Sequence, residues 1–235
     1  MSSSDHISKQ FDTELEAIRA NVLQMGGLVE QQIKKAIEAL ISGDVALMTH
    51  VIEEDHRVNG MEVKIDEACS QVIARRQPTA SDLRLVMTVV KTITDLERIG
   101  DEAEKIARMA KMLSQKHGLA IPRYTEIKHA SEIAIDMLRK ALDAFARLDV
   151  VLAAQVVRQD DQVDEEFRAI MRYLITFMME DPRTISTSLE ILFVAKAIER
   201  IGDHAQNIAE YVIYMVRGRD VRHVTMEEIE REVQK

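Results

Sequence analysis

Asp-Leu-Glu-Arg-Ile-Gly-Asp at residues 95–101 returns as Ala-Ile-Glu-Arg-Ile-Gly-Asp at residues 197–203, which is 102 positions further along the chain. Upstream of this motif, residues 51–58 match residues 156–163 at an offset of 105 positions. The small change in offset falls in two loops that are marked by prolines. Each half of the chain therefore has the order long helix, proline-marked loop, long helix, as expected for an internal duplication.

Apolar periodicity and helix-breaking residues divide the chain into six long helical segments. Turn residues are scarce, with 8 Gly and 3 Pro in 235 residues, and helix-forming residues dominate. We therefore predict an all-α fold of two tandem three-helix bundles, elongated because a helix of about 30 residues is about 45 Å long. The predicted segments are residues 8–41, 45–76, 79–116, 123–148, 150–180 and 184–217.

The same breaks predict the domain boundaries. We expect a first bundle at residues 1–117, a second bundle at residues 123–220 and a charged C-terminal tail at residues 221–235. The tail is either a short charged helix from about residue 225 or a frayed end. The methionines near the end of segment five, Met171, Met178 and Met179, are expected to fill the core rather than to form a binding face.

Charge and composition exclude several classes of protein. The net charge of −9 and the lack of a long basic run disfavour a nucleic-acid partner. Cys69 is the only cysteine, so no internal disulfide can form, as is usual in a reducing compartment. No stretch approaches the roughly 20 apolar residues of a membrane-spanning helix, and the polar N-terminus lacks the apolar core of a secretory signal. We expect a cytoplasmic protein without direct membrane insertion.

Each copy of the repeated motif carries two carboxylates four residues apart, which places them on one helix face. These pairs are Glu97 with Asp101 and Glu199 with Asp203. Like charges at this spacing cost a helix roughly 0.2–0.5 kcal/mol. We therefore expect a positively charged group to lie close to each carboxylate pair and to offset this repulsion.

The segment before each motif supplies further carboxylates. Asp160 and Asp164 lie about 50° and 90° from the centre of the apolar stripe of segment five, at its edge. If segments five and six are antiparallel neighbours, these two residues converge on one groove with the second-half pair. The matching positions in the first half are Asp55 and Asn59.

Two interpretations of these clusters remain open. A hard or intermediate cation (Mg²⁺, Mn²⁺ or iron) takes oxygen ligands of this kind, and His204 would add a nitrogen ligand in the second half. Alternatively, Arg98 and Arg200 bridge to carboxylates on the next helix. Zinc is less expected because the chain lacks a Cys/His ligand set.

The repeated glycines and the missing motifs also carry information. Gly100 and Gly202 each cost a helix about 1 kcal/mol relative to Ala, so their recurrence predicts a close helix approach. They also stand where a Glu-x-x-His di-iron motif would need histidine.

No Gly-rich phosphate loop, HExxH or GxSxG is present. A binding protein is therefore favoured over an enzyme, with a metal-dependent hydrolase as the alternative.

The chain resembles the PhoU family of phosphate-specific transport system accessory proteins over nearly its whole length, to about Val224. The paired E-R-I-G-D motifs carry the resemblance together with Arg-Gln-Pro-Thr-Ala-Ser-Asp-Leu-Arg at residues 76–84. Further matching stretches lie at residues 10–27, 65–69 and 179–181.

The resemblance implies two three-helix bundles, frequent homodimers and metal bound at E/D-x-x-x-D pairs on adjacent helices. Carried onto this sequence, the metal ligands are Asp55, Glu97, Asp101, Asp160, Asp164, Glu199 and Asp203. The first half departs from the family pattern at Asn59, where an acid is expected, and at Glu102 and Lys105, which replace His and Asn.

The resemblance also implies a function. PhoU-like proteins repress the phosphate-starvation response when phosphate is plentiful and restrain phosphate uptake. The expected role is a non-catalytic adaptor between the ATPase of the phosphate ABC transporter and a phosphate-sensing histidine kinase. The alternatives are a metal-dependent enzyme and a metal-storage protein.

Overall fold

The computed structural model describes residues 9–115 and 124–234. Within these ranges the chain is helical and forms no strand, which confirms the all-α prediction. The predicted break at residues 117–122 and the expected helix ends at residues 8, 116 and 123 lie outside the described residues. The helices are α1 (Lys9–Ser42), α2 (Val45–Arg76), α3 (Ala80–Ser114), α4 (Tyr124–Arg147), α5 (Val150–Glu180), α6 (Ile185–Arg217) and α7 (Met226–Val233).

Local chemistry explains where several helices begin and end. The side chains of Asp44 and Asp149, 105 positions apart, each accept two backbone N–H hydrogen bonds at the start of α2 and α5. Helix α2 ends at Gln77, which adopts a left-handed conformation with φ 47° before Pro78. Helix α6 ends at Gly218 with φ 74°, and the Gly218 N–H donates to a carbonyl of the last turn.

The helices form two three-helix bundles, α1–α3 and α4–α6, which share one hydrophobic core. The most extensive packing in the molecule is between α3 and α6, one helix from each bundle. Helix α6 buries adjacent residues such as Ala197 and Ile198, so it presents apolar surface both to its own bundle and to the other. The sequence predicted the two bundles correctly but not their fusion through this central pair.

The C-terminal tail forms helix α7, which settles the choice between a helix and a frayed end. A capping box joins Thr225 and Glu228 at its start. Ile229 is 2% exposed, and Glu230 forms an ion pair with Arg158 of α5. The tail is therefore docked on the second bundle.

The outer face of α5 departs from expectation near its end. Met179 is 79% exposed, so the prediction that it fills the core was wrong. Tyr173 and Phe177 stack one turn apart on the same helix, with ring centroids 6.2 Å apart.

Among the described residues, no helix has the length and apolarity needed to cross a membrane.

Candidate functional site

The repeated glycines bring an aspartate of the neighbouring helix close to each motif. A Cβ atom on Gly202 of α6 would lie 3.3 Å from Asp160 Oδ1 and 3.4 Å from Val163 Cγ1 of α5. A Cβ atom on Gly100 of α3 would lie 3.4 Å from Asp55 Oδ1 of α2. The close helix approach predicted for both glycines is therefore confirmed.

The four carboxylates predicted for the second half share one electrostatic environment. Burial, followed by the charges of Asp203, Asp164 and Glu199 among others, raises the pKa of Asp160 to about 7. Burial and then the charge of Glu199 raise the pKa of Asp203, while Lys196 lowers it. Helices α5 and α6 pack against each other, so the carboxylates of the two helices lie near enough to influence one another's pKa values.

Cations of the protein compensate this second-half cluster only in part. Lys196 Nζ donates to Glu199 Oε1 at 2.5 Å, and Arg168 Nη2 donates to Asp164 Oδ2 at 2.6 Å. Glu199 is 9% exposed, and its other oxygen, Oε2, is buried without a hydrogen-bond partner. The sequence interpretation missed Lys196 and Arg168, although each lies three or four residues from the carboxylate that it contacts.

The first-half cluster has a different centre. Asp55 is 8% exposed and accepts hydrogen bonds from two amide side chains. Gln32 Nε2 of α1 donates to its Oδ1 at 3.0 Å, and Asn59 Nδ2 donates to its Oδ2 at 3.1 Å. Both oxygens of Asp55 are therefore already bonded by the protein.

The other first-half carboxylates lie further out. Burial, followed by the charges of Asp101 and Glu62, raises the pKa of Glu97. Partial desolvation of the carboxyl group, followed by the charge of Asp55, raises the pKa of Asp101. The residue as a whole remains exposed to solvent. Glu62 was missed from the sequence, although it lies seven positions after Asp55 and therefore on the same face of α2.

Of the two arginines that were expected to bridge to a carboxylate on the next helix, only Arg200 does so, and its partner lies outside the predicted clusters. Arg200 Nη1 lies 3.0 Å from Glu102 Oε1 of α3, so this ion pair joins the two bundles rather than the carboxylates of one cluster. Arg98 is exposed, and its charge lowers the pKa of Glu97 by less than burial and the nearby carboxylates raise it.

His204 lies in the interface between the bundles. Its ring Nδ1 is 2.7 Å from Asp95 Oδ1 of α3, and Asn207 Nδ2 donates to the same oxygen at 3.2 Å. Both His204 and Asp95 are buried, and His204 Nε2 has no hydrogen-bond partner. His204, which was predicted as a nitrogen ligand, therefore already contacts Asp95 through its Nδ1 atom. The sequence analysis did not single out Asp95 as a partner.

The donor chemistry of the second half fits a hard cation. Asp160 and Asp203 have raised pKa values and Glu199 Oε2 has no hydrogen-bond partner, although Lys196 and Arg168 already pair with Glu199 Oε1 and Asp164 Oδ2. Mg²⁺, Mn²⁺ and iron accept oxygen ligands of this kind. In residues 9–115 and 124–234, however, no three His, Cys, Asp or Glu side chains stand in the arrangement of a metal site. Metal binding at the seven predicted ligands stays a prediction.

The fold and the site together define a class: a tandem duplication of three-helix bundles with clustered carboxylates where a repeated glycine meets the next helix. Comparison with known families shows which protein family has this architecture. The PhoU domain model matches the chain twice, at residues 22–110 and 127–212. The chain belongs to the PhoU family, which confirms the resemblance seen in the sequence.

Relatives and solved structures agree with this assignment. The chain is 52% identical over 227 residues to the phosphate-specific transport system accessory protein PhoU of Escherichia coli (strain K12), covering 96% of this chain and 93% of the relative. It is 50% identical over 233 residues to the PhoU homolog of Pseudomonas aeruginosa, covering 99% and 96%.

Among solved structures, PhoU from Pseudomonas aeruginosa superposes with a TM-score of 0.85, covering 89% of this chain and 100% of that one, at 50% identity. The phosphate transport system regulatory protein PhoU from Streptococcus pneumoniae superposes with a TM-score of 0.83, covering 90% and 99%, at 29% identity. The all-α, duplicated architecture is thus the architecture of the family.

Proposed function

We propose that this protein is a negative regulator of phosphate uptake and of the phosphate-starvation response. The observation that carries the proposal is the double PhoU domain, together with relatives of 50–52% identity that are named phosphate-specific transport system accessory proteins. These relatives align with nearly the full length of the chain, so the whole architecture is the unit that the proposal concerns.

In this proposal the protein is a cytoplasmic, non-catalytic adaptor that acts as a homodimer. It contacts the ATPase of the phosphate ABC transporter and the phosphate-sensing histidine kinase. Two related bundles that pack together through α3 and α6 offer two similar but unequal surfaces, which suits an adaptor with two partners. A cavity of about 500 Å³ between α1 and α4 is lined by Ile37, Ile41 and Ile135 and by charged residues outside the carboxylate clusters.

Metal binding is part of the proposal. In the second half Asp160, Asp164, Glu199 and Asp203 would hold a Mg²⁺, Mn²⁺ or iron ion. When bound, the cation would supply positive charge that neutralises this cluster. The residues themselves place the carboxylates on two helices that meet at Gly202, so the site couples α5 to α6.

The regulatory role is tested with a phosphate-starvation reporter in phosphate-rich medium. Deleting the gene should switch the reporter on, and restoring the wild-type gene should silence it. A double variant, Glu199→Gln with Asp203→Asn, should restore silencing incompletely, whereas the exposed control Glu53→Gln should restore it fully. A reporter that stays silent in the deletion strain would rule out the negative-regulator role.

The adaptor role is tested by co-purification. The tagged chain should retain the transporter ATPase and the histidine kinase from cells grown in excess phosphate. Light scattering on the purified chain measures whether it is a dimer. Failure to retain either partner at any phosphate level would argue against the adaptor.

A further inference from the structure

The C-terminal helix α7 follows α6 in the same way that α4 follows α3. It begins at Met226, and α4 begins at Tyr124, so the two starts differ by the 102 positions that separate the repeated motifs. Ile229 of α7 and Ile127 of α4 occupy the same position at this offset, and both are buried, at 2% and 1% exposed. Helix α7 therefore corresponds to the opening turns of α4 and keeps their apolar anchor.

The charges of α7 differ from those of α4. Glu230 stands where α4 has Lys128. Its ion-pair partner, Arg158 of α5, stands where α2 has Glu53 at the offset of 105 positions. Both positions have therefore reversed their sign between the two halves and still carry opposite charges. The charge pairing of α7 with α5 is thus a property of the second half and not a copy of the first.

Helix α7 is acidic, and the surface beneath it is basic. The helix contains four glutamates and one arginine, which gives it a net charge of −3. Arg219 Nη1 lies 2.9 Å from Glu232 Oε2, and Arg217 Nη2 donates to a backbone carbonyl at the end of α7 at 2.7 Å. With Arg158, these residues form a surface of three arginines in a chain whose net charge is −9. Such a local positive surface attracts acidic segments.

The fit between α7 and this surface is incomplete. A cleft of about 330 Å³ remains between α5 and α7, and its lining includes Val151, Ala154 and Val233. Val151 is 55% exposed, and the buried Arg217 Nε has no hydrogen-bond partner among the described residues. Well-packed protein interiors leave few voids larger than a water molecule. Helix α7 therefore neither fills the groove nor satisfies every arginine donor at its edge.

Few interactions hold α7 in place. A helix of eight residues is unstable in water when it is isolated. Within Met226–Val233, Ile229 is the only buried apolar side chain. The ion pairs of α7 with Arg158 and Arg219 lie at the surface, where water and salt weaken them. Helix α7 can therefore leave this surface while the two bundles stay folded.

We propose that the start of α5 and the end of α6 form a docking surface for an acidic amphipathic helix of a partner protein, and that α7 occupies this surface as an internal competitor. The partner helix places one apolar side chain where Ile229 lies and others in the cleft beside Val151. Its carboxylates face Arg158, Arg217 and Arg219. This inference goes beyond the proposed regulatory role, because binding by the purified chain can succeed or fail whatever the reporter shows.

The release of α7 is tested first, by hydrogen exchange on the full wild-type chain. The amides of α7 should exchange at least about 100-fold faster than the buried amides of α6, because α7 opens without the bundles. Adding 0.5 M NaCl should speed the exchange of α7 further and leave α6 unchanged, because salt screens the ion pairs at roughly this concentration. Amides of α7 that are as protected as those of α6 would overturn the proposal.

Docking is tested with a labelled peptide and the variant Ile229→Asp, which removes the anchor of α7. The probe has the sequence of residues 225–234 with Val233→Leu, which lengthens the side chain at the cleft, and its binding is followed by fluorescence anisotropy. The Ile229→Asp chain should bind the peptide at least about 10-fold more tightly than the wild type, because the tethered helix no longer competes. Val63→Asp, which puts the same charge at an exposed apolar position of α2, is the matched control and should bind as the wild type does.

Charge reversal tests the arginines. In the Ile229→Asp chain, Arg158→Glu with Arg219→Glu should weaken peptide binding at least about 10-fold. A peptide that also carries Glu230→Lys and Glu232→Lys should bind this reversed chain more tightly than the Ile229→Asp parent. Circular dichroism confirms folding, and Arg219→Glu alone serves if the double reversal does not fold.

The remaining outcomes contradict the proposal. Equal peptide binding by the wild type and the Ile229→Asp chain would show that α7 does not compete, and binding that ignores charge reversal would show that the arginines play no part. Vesicles of phosphatidylglycerol are tested beside the peptide. An Ile229→Asp chain that binds these vesicles and not the peptide would make the partner a membrane surface instead of an acidic helix.

Discussion

Glu210 of α6 should make the protein less stable as the pH rises. The side chain is 7% exposed and accepts a hydrogen bond from Gln206 Nε2 at 3.3 Å. Burial is the main cause that raises its pKa from 4.5 to about 7, opposed by Gln206 and Arg222 and supported by the charge of Asp220. The folded state therefore holds this proton more tightly than the unfolded chain, and stability falls as the pH rises from about 4.5 to about 7.

The magnitude follows from the two pKa values. Each pKa unit corresponds to about 1.36 kcal/mol, so the rise from 4.5 to about 7 corresponds to about 3 kcal/mol. Glu210→Gln keeps the size and hydrogen-bonding capacity of the side chain but cannot ionise. The variant should therefore match the wild type near pH 4.5 and exceed its unfolding free energy by about 3 kcal/mol at pH 8.

The assay is urea denaturation followed by circular dichroism at several pH values from 4.5 to 8, with chelator present throughout. At pH 8 the difference should also raise the melting temperature by about 6–12 °C for a chain of this size. Glu53→Gln, which changes an exposed carboxylate, is the control and should show no such trend. A stability difference for Glu210→Gln that is the same at every pH would refute the reasoning.

Two further predictions concern packing between the bundles. Gly26→Ala should destabilise the protein by about 1–3 kcal/mol, because its Cβ would lie 2.5 Å from Leu142 Cδ1 of α4. Gly27→Ala has open space within 4 Å and should instead stabilise α1 by up to about 1 kcal/mol, so thermal melts of the two variants should shift in opposite directions. Asp95→Ala should cost about 2–4 kcal/mol in urea unfolding because it removes the buried partner of His204; a loss under 0.5 kcal/mol would contradict this role.

The sequence predicted the features that depend on neighbouring residues. Helix boundaries follow from caps and breakers such as Asp44, Pro78 and Gly218, and each of these acts within a few positions. The convergence of Asp160 with Asp203 was also predictable, because a duplicated motif and a short proline-marked loop make α5 and α6 antiparallel neighbours. These signals are local or repeated, so a single sequence displays them.

Only the tertiary structure revealed the contacts between helices that are distant in the chain. The bonds of Gln32 to Asp55 and of His204 to Asp95 join residues 23 and 109 positions apart, and no periodicity along one helix marks such partners. The fusion of two bundles through α3 and α6 is of the same kind, since an apolar face shows that a residue is buried but not what buries it. The difference between the two carboxylate clusters is decided by these distant partners, because a charge is stabilised by the groups that surround it in space.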